Sequence, residues 1–140
     1  MLIYFPVTCE LLTVGHIKCL EWLREYRHSK NPYIIIGLLT DKALRGYKDS
    51  IVPFEDRKYI LEHLVVNKFG INILEIVPQD SLNPYKNLKE YHPEYIASGD
   101  GWEKEELAGI KKAKVKKLNI TLPKLWSVTK LKQKICQQGF

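Results

Sequence analysis

The hydrophobic positions along the chain form short apolar runs that alternate with stretches of helical periodicity. Leu2–Val7 and Tyr33–Thr40 are apolar on both faces, which is typical of strands buried in a parallel sheet covered by helices. Pro78 is expected to end a third apolar run. The further predicted strands are Asn72–Val77, Tyr95–Ser98 and Val115–Leu122.

Helical patterns separate these strands. In Gly15–Arg27, apolar residues recur every three to four positions and charged residues fall on other faces. Pro53 is tolerated in the first turn of a helix, and the pattern after it predicts a helix over Phe54–Lys68. The further predicted helices are Ser81–Tyr91, Trp102–Lys112 and Ser127–Gln137, the last with Ser127 as its N-cap.

Strands that alternate with helices predict the α/β class. We expect a Rossmann-like, doubly wound, five-stranded parallel sheet with helices on both faces. A length of 140 residues fits one domain, and we expect residues 1–140 to form a single one. In such sheets ligands bind beyond the carboxyl ends of the strands, where the strand order reverses. The residues that follow each strand are therefore the candidates for a site.

Charge is unevenly distributed along the chain. The formal net charge is +6, yet residues 111–140 hold nine lysines and no acid, while the first 110 residues are net acidic. A basic end of this kind is typical of proteins with a phosphate-rich partner: nucleic acid, an anionic membrane or a phosphorylated small molecule. No apolar run is long enough to span a membrane. The three cysteines are widely spaced, which favours reduced thiols and a cytoplasmic location.

The residues after the first two strands suit a phosphorylated ligand. Gly15 and His16 open the first helix, where free amides attract anions and a glycine permits close approach. Taken alone, this dipeptide is more often an ordinary helix start with a neutral histidine. The loop after the second strand carries Arg45, Lys48 and Arg57, which suit a phosphate clamp or a solvated surface.

The residues after the last two strands add similar groups. Gly99-Asp100-Gly101-Trp102 combines flexible backbone with an acid and an indole that suit a base or ribose, or else forms a turn with a core tryptophan. Lys124 precedes Ser127 and Thr129, which suit a second phosphate cradle or ordinary helix capping. Each signal is weak alone, but all four fall at the same edge of the predicted sheet.

In this order, the residues resemble the cytidylyltransferase-like nucleotidyltransferases, and most of all the small glycerol-3-phosphate cytidylyltransferases. The resemblance covers nearly the whole chain. The family motif G-T-F-D-x-x-H-x-G-H is similar to Val7–His16 here, and G-D-D-W is similar to Gly99–Trp102. The family's lysine loop and arginine-bearing helix resemble Lys48 and Pro53–Arg57. Its basic residue before I-S-T-T resembles Lys124 before Ser127-Val128-Thr129.

The resemblance implies transfer of a nucleotidyl group to an acceptor, with Mg²⁺ accompanying the nucleoside triphosphate and no metal ligand from protein side chains. It implies catalytic roles for His16, Lys48 and Lys124 at the phosphates. It implies acceptor contacts from Glu10 and Arg57. The nucleotide-binding residues that it implies are Thr8, Cys9, Thr13, Gly15, His16, Gly99, Asp100, Trp102, Ser127, Val128 and Thr129.

The chain departs from the family pattern in the first half of the first motif. Thr13 replaces the first histidine, and its hydroxyl can bind phosphate without carrying positive charge. Val7, Cys9 and Glu10 replace the glycine, the aromatic and the aspartate, and Gly101 replaces the second aspartate of G-D-D-W. Loss of one charge-stabilising group commonly costs about 10²–10³-fold in rate. A divergent active enzyme, an altered substrate and a nucleotide binder with little activity all remain open.

The leading hypothesis is transfer of CMP from CTP to a small phosphorylated acceptor, similar to glycerol-3-phosphate, choline phosphate or a sugar phosphate, with release of pyrophosphate. The alternatives are a catalytically degenerate nucleotide-binding protein and an adenylyltransferase of the same superfamily. A homodimer is implied by resemblance. Nucleic acid is not expected, because Lys111–Lys117 straddles a helix end and an edge-like strand and lacks interleaved aromatics.

Overall fold

The computed structural model describes residues 1–9, 14–26, 32–45, 52–65, 72–99 and 101–121. The strands are β1 (Leu2–Val7), β2 (Tyr33–Leu39), β3 (Asn72–Gln79), β4 (Tyr95–Ser98) and β5 (Lys116–Asn119). The helices are α1 (Val14–Glu25), α2 (Asp41–Leu44), α3 (Phe54–Ile60), a π-helical turn (Leu61–Val65), α4 (Tyr85–Tyr91) and α5 (Lys104–Ala113). Within these ranges, no helix is long and apolar enough to cross a membrane.

The strands form one five-stranded sheet in the order β3-β2-β1-β4-β5, and every neighbouring pair is parallel. β1 is the central strand and pairs with β2 over its whole length, from Leu2 opposite Tyr33 to Val7 opposite Leu38. On its other side Tyr4 pairs with Ile96 of β4. The strand order therefore reverses between β1 and β4. The predicted Rossmann-like α/β fold is confirmed.

Two apolar layers cover the sheet. Side chains alternate along β1, so Ile3 and Phe5 lie on one face and Tyr4 lies on the other. The first face packs against Leu20 and Leu23 of α1 and Leu61 of the π-helical turn. The second face packs against Leu88 of α4 and Ile110 of α5. Helices on both faces explain why β1 and β2 are apolar on both sides.

β3 does not end at Val77 as predicted but continues through Pro78 to Gln79. Proline has no N–H to donate and is tolerated in a strand that has a neighbour on one side only. β3 is such a strand, because it lies at the end of the sheet and pairs with β2. Pro78 was predicted to end the strand, which holds for an interior strand but not for an edge strand such as β3.

The helix predicted over Phe54–Lys68 changes character after α3. Residues Leu61–Val65 form a π-helical turn, and Lys68 lies outside the described residues. His63 Nδ1 lies 2.9 Å from Tyr59 O, the carbonyl that the His63 main-chain N–H would reach in an α-helix. A side chain that takes a main-chain acceptor in this way loosens the regular helical ladder.

α4 begins at Tyr85 rather than at the predicted Ser81. The Tyr85 N–H donates to Asn83 Oδ1 at 2.9 Å, and the Asn83 N–H donates to Ser81 Oγ at 3.2 Å. These side chains offer the backbone local partners that replace those of a helix. Pro84 then stands at the N-cap of the helix. Turn chemistry therefore shortens the predicted helix at its start.

α2 was not predicted, because Asp41–Leu44 falls in a stretch expected to be a polar loop. The remaining predicted elements lie where the sequence places them, with differences at their ends. β4 matches the predicted Tyr95–Ser98 at both ends. α5 begins two residues after Trp102, because Glu103 caps it: the Glu103 N–H donates to Glu106 Oε1 at 3.1 Å in a capping box. β5 is shorter than predicted and ends at Asn119. The predicted helix over residues 127–137 lies outside the described residues.

A buried polar chain crosses the second face of the sheet. The Tyr4 hydroxyl donates to Gln79 Oε1 at 2.6 Å and accepts from Asn87 Nδ2 at 2.9 Å. Asn87 Nδ2 also donates to Pro78 O at 3.0 Å, so β1, β3 and α4 are joined. The Tyr4 ring reaches β3 across Gly37 of β2, where a β-carbon would overlap the phenol. Burial raises the pKa of Tyr4 well above its ordinary value of 10.0, against the lowering effect of Asn87.

The substitution Tyr4→Phe tests this chain. It leaves Gln79 Oε1 without its donor, so we expect the free energy of unfolding to fall by about 1–3 kcal/mol in urea titrations. Tyr59→Phe is the matched control: Tyr59 is 63% exposed, and its loss of a hydroxyl should change stability by less than about 0.5 kcal/mol.

The stability difference between wild type and Tyr4→Phe should also depend on pH. Below pH 10.0 the Tyr4 hydroxyl is neutral in both the folded and the unfolded state, so the stability difference between wild type and Tyr4→Phe should be constant. Above that pH the unfolded state ionises first, and the advantage of the wild type should shrink. A difference that grows above pH 10.0 would contradict the burial of this hydroxyl.

Candidate functional site

The carboxyl ends of β1 and β4 are neighbours at the point where the strand order reverses. We call this part of the sheet the switch-point edge. The chain leaves β1 toward α1, which packs on the first face, and leaves β4 toward α5, which packs on the second. The two connections diverge to opposite faces, and in sheets of this kind ligands bind in the crevice between such connections.

Cys9 follows β1 in a left-handed backbone conformation, with φ of 50°. This conformation costs a residue other than glycine roughly 1–2 kcal/mol. Strain of this kind is concentrated at functional sites. The side chain itself is 7% exposed and belongs to the apolar cluster on the first face. Cys9 therefore turns the chain out of the sheet at the switch-point edge while its thiol stays in the core.

Of the described parts of the site, the start of α1 is the best suited to bind phosphate. Gly15 and His16 lie in its first turn, which contains no acidic residue. Free amides and the helix dipole make such a turn attractive to anions. His16 is half-buried. An acid in this turn would compete with a phosphate, and the first turn of α1 offers none.

Cys19 shows which way this helix faces. A β-carbon built on Gly99, directly after β4, would lie 3.0 Å from Cys19 Sγ, so α1 approaches the end of β4 at that point. Residues three apart lie on the same side of a helix, and His16 precedes Cys19 by three. His16 is therefore one turn closer to the helix start, on the side that faces the end of β4. α1 therefore brings His16 toward Gly99 at the switch-point edge.

The connection after β4 is held by side-chain hydrogen bonds. Ser98 Oγ donates to Gly101 O at 2.6 Å, and the Trp102 indole Nε1–H donates to Asn119 Oδ1 at 2.7 Å. The Ile120 N–H donates to Ser98 O at 2.9 Å, which extends the contact between β4 and the end of β5. Trp102 is half-buried and packs against the second apolar cluster.

Sequence reasoning missed Asn119. The predicted fifth strand ran on to Leu122, so Asn119 was placed inside a strand rather than at its end. In the structure, Asn119 is the last residue of β5 and lies opposite Ser98 in the parallel register, at the carboxyl edge of the sheet. If β5 had been predicted to end at Asn119, this residue would have been considered with the other residues at the carboxyl ends of the strands, where ligands bind.

Arg57 lies at the ends of β1 and β2. Its side chain is fully buried, and the residue is 1% exposed. Nη1 donates to Thr8 O and to Leu39 O, both at 2.7 Å, so the guanidinium joins the ends of β1 and β2. Nη2 donates to Asp41 Oδ1 at 2.8 Å. Nε donates to Val52 O at 2.9 Å, just before α3.

We call this set of contacts the Arg57 clamp. Only a guanidinium supplies several donors in a fixed planar arrangement, so the clamp needs arginine rather than lysine. The contacts make Arg57 a residue that positions the ends of the strands. Direct contact with an acceptor remains a prediction, as do the roles of Thr8 and Cys9.

Several predicted site residues lie outside the described residues, and their roles remain predictions. They are Glu10, Thr13, Lys48, Asp100, Lys124, Ser127, Val128 and Thr129. In the part of the chain that is described, no group of three or more His, Cys, Asp and Glu side chains lies together to hold a metal ion. A magnesium ion that arrives with a triphosphate is held largely by phosphate oxygens and water.

A small cavity of about 170 Å³ lies away from the switch-point edge, between the end of β3 and α4. Buried Gln79 and Asn87 line it, with Asp80, Lys86 and Glu90. The Gln79 and Asn87 amides already bond to Tyr4 in the buried polar chain. The cavity is separated from β1 by β2, and it is a second location at which small molecules can be looked for.

Comparisons with known proteins bear on this edge. Residues 4–130 match the model of a family described as cytidylyltransferase-like. A lipopolysaccharide core biosynthesis protein from Thermoplasma volcanium GSS1 has a similar solved structure: the TM-score is 0.68 and the identity is 19%, over 88% of this chain and 98% of that chain. A protein with unknown function from Archaeoglobus fulgidus gives a TM-score of 0.61 and 22% identity, over 86% of this chain and 90% of that chain.

At these identities the solved structures show the fold alone. No curated protein sequence matches the chain. The family match covers both sides of the switch-point edge, from β1 to beyond β5.

The Arg57 clamp predicts a large loss of stability for Arg57→Lys. The ammonium cannot reach all the acceptors at once, so buried carbonyls lose their donors, and we expect the free energy of unfolding to fall by at least about 2 kcal/mol. Asp41→Asn is the control: the Asp41 side chain is 51% exposed, and the loss should stay below about 1 kcal/mol. Equal stability of wild type and Arg57→Lys in urea titrations would contradict the clamp.

The approach of α1 to β4 predicts a steric coupling between Gly99 and Cys19. In Gly99→Ala the added methyl meets Cys19 Sγ at 3.0 Å, and we expect a loss of about 1–2 kcal/mol in urea unfolding. Cys19→Ala removes the sulfur, so the double variant should lose less than the two single variants together. Additive losses in this double-mutant cycle would show that α1 does not approach β4 as described.

Proposed function

The chain belongs to the cytidylyltransferase-like family, and from that premise we propose that it transfers CMP from CTP to a small phosphorylated acceptor and releases pyrophosphate. Family membership supports a nucleotidyltransferase kind of function. The observation that carries the proposal is the position of His16, in the acid-free first turn of α1 and on the side that faces the end of β4. An anionic ligand at the switch-point edge would meet the start of α1, the His16 imidazole and the backbone at Gly99 together.

The proposed reaction is a single displacement. An acceptor phosphate oxygen forms a bond to the α-phosphorus of CTP, and the bond from that phosphorus to the bridging oxygen breaks, so that pyrophosphate leaves with the electron pair. No covalent enzyme intermediate is needed. The chain would act by holding the reactants in line and stabilising charge on the transferred phosphate.

The proposed roles divide between described residues and residues known from sequence. His16 would donate a hydrogen bond to the phosphates, together with Lys48, and Lys124 would neutralise developing charge. Ser127 and Thr129 would hold the outer phosphates. Arg57 would act at a distance, because its clamp fixes the strand end from which the chain leaves toward α1.

The cofactor and partners are proposed on the same ground. We expect Mg²⁺ to be bound by the triphosphate, where it neutralises phosphate charge, without a protein side chain as ligand. The partners would be CTP and a small phosphorylated acceptor similar to glycerol-3-phosphate, choline phosphate or a sugar phosphate. A homodimer and a cytoplasmic location remain predictions, and nucleic acid is not proposed as a partner.

Two alternatives stand beside this proposal. Thr13 stands where the family has a histidine, which favours a nucleotide-binding protein with little catalytic activity. An adenylyltransferase is the other alternative, because the choice of base depends on a pocket that the motifs do not define. The three functions give different results in one assay.

The assay measures pyrophosphate released from each nucleoside triphosphate with Mg²⁺ and a panel of phosphorylated acceptors. We expect release with CTP and one acceptor. His16→Ala should lower kcat at least about 10²-fold, because a charge-stabilising donor is lost. His63→Ala is the matched control: His63 is an exposed histidine on the π-helical turn, and its loss should leave turnover unchanged.

The other outcomes decide between the alternatives. Release with ATP instead of CTP would support the adenylyltransferase. Binding of CTP in calorimetry without turnover on any acceptor would support the degenerate nucleotide binder. Full activity of His16→Ala would refute the role of His16, and absence of both triphosphate binding and turnover in the wild type would refute the proposed function.

A further inference from the structure

The hydrogen bond between Trp102 and Asn119 fixes the orientation of the Asn119 amide. The indole Nε1–H lies 2.7 Å from Oδ1. An indole N–H can only donate, so its partner on asparagine must be the carbonyl oxygen. The Nδ2 group, with its two N–H donors, is therefore turned away from the indole. Amide orientation is ambiguous for many asparagines, but a donor-only partner settles it here.

Asn119 stands beside the site at the carboxyl edge of the sheet. It is the last residue of β5 and lies opposite Ser98, the last residue of β4, in the parallel register. Asn119 is exposed, while Trp102 is half-buried against the second apolar cluster. Leu118 and Ile120 lie in the first apolar cluster, so the Asn119 side chain between them lies on the second face with Trp102. Trp102 thus forms a fixed support for an exposed amide at the end of β5.

The fixed direction of the Asn119 Nδ2 group is not explained by a structural role alone. Water can solvate an exposed amide at little cost, so stability does not require Nδ2 to be held in one direction. A ligand does benefit, because a donor that is oriented before binding loses less entropy when the ligand arrives. The fixed orientation therefore favours a role in recognition.

We propose that Asn119 is a nucleotide-binding residue, which donates through Nδ2 to an oxygen of the nucleoside triphosphate while Trp102 holds its amide in place. This inference rests on the proposed function. The ligand atom is an acceptor, either a phosphate oxygen or an oxygen of the base or ribose. The Trp102 N–H already donates to Asn119, so Trp102 would contribute to binding through its ring and by orienting the Asn119 amide.

Asn119→Asp separates the two roles of the side chain. A carboxylate still accepts from the indole, but it has no N–H and adds negative charge. Calorimetry should show at least about a tenfold weaker binding of CTP, as expected for loss of a donor to a charged or polar ligand. The indole ¹H–¹⁵N signal of Trp102 should keep its hydrogen-bonded shift, which shows that the support is intact.

Two further variants complete the test. Asn83→Asp makes the same change of charge at another asparagine that accepts a hydrogen bond, from the Tyr85 N–H, and it should leave CTP binding unchanged. Trp102→Phe keeps a ring but frees the amide, so it should weaken CTP binding less than Asn119→Asp does. Titration with cytidine locates the oxygen: a parallel loss of cytidine binding in Asn119→Asp assigns it to the base or ribose, and an unchanged value assigns it to a phosphate.

The outcomes distinguish this inference from the proposed function. If the wild type binds CTP and Asn119→Asp binds it equally well with the indole signal unchanged, the inference is overturned and the proposed function stands. If Asn83→Asp weakens binding as much as Asn119→Asp, added charge alone explains the effect and the inference is overturned as well. If the wild type binds no nucleoside triphosphate, the proposed function fails first.

Discussion

Parallel pairing of β1 with strands on both sides is the constraint on which the site depends. β2 and β3 extend the sheet in one direction from β1, and β4 and β5 extend it in the other. Because all pairs are parallel, every strand delivers its following residues to the same edge. The reversal of strand order then sends the connections after β1 and β4 to opposite faces, and the crevice between them is a consequence of topology.

Two buried polar side chains, Arg57 and Tyr4, join separate strands of the sheet. Arg57 donates to carbonyls at the ends of β1 and β2, and the Tyr4 hydroxyl links β1 to β3 and α4. Such groups are stable in the interior only because each is matched with partners. These contacts fix the ends of β1 and β2 at the carboxyl edge of the sheet.

The sequence was sufficient for the fold class and for the elements whose signals are local. Continuous apolar runs identified the parallel strands, and β4 was placed correctly at both ends. It was insufficient where a residue's meaning depends on its neighbours in space. Pro78 is tolerated because β3 is an edge strand, and Arg57 is buried because three separate segments bring carbonyls to it. Asn119 became a candidate only when the structure showed that β5 ends at it rather than at Leu122.

The central claim is that a nucleotide binds in the crevice at the switch-point edge, and an amide NMR titration of the ¹⁵N-labelled protein with CTP and Mg²⁺ tests it most directly. We expect the largest chemical-shift changes at Gly15–Lys18, at Gly99 and at the Trp102 indole. Changes confined to Asp80–Tyr91, beside the cavity under α4, or to the lysines of Lys111–Lys117 would contradict it.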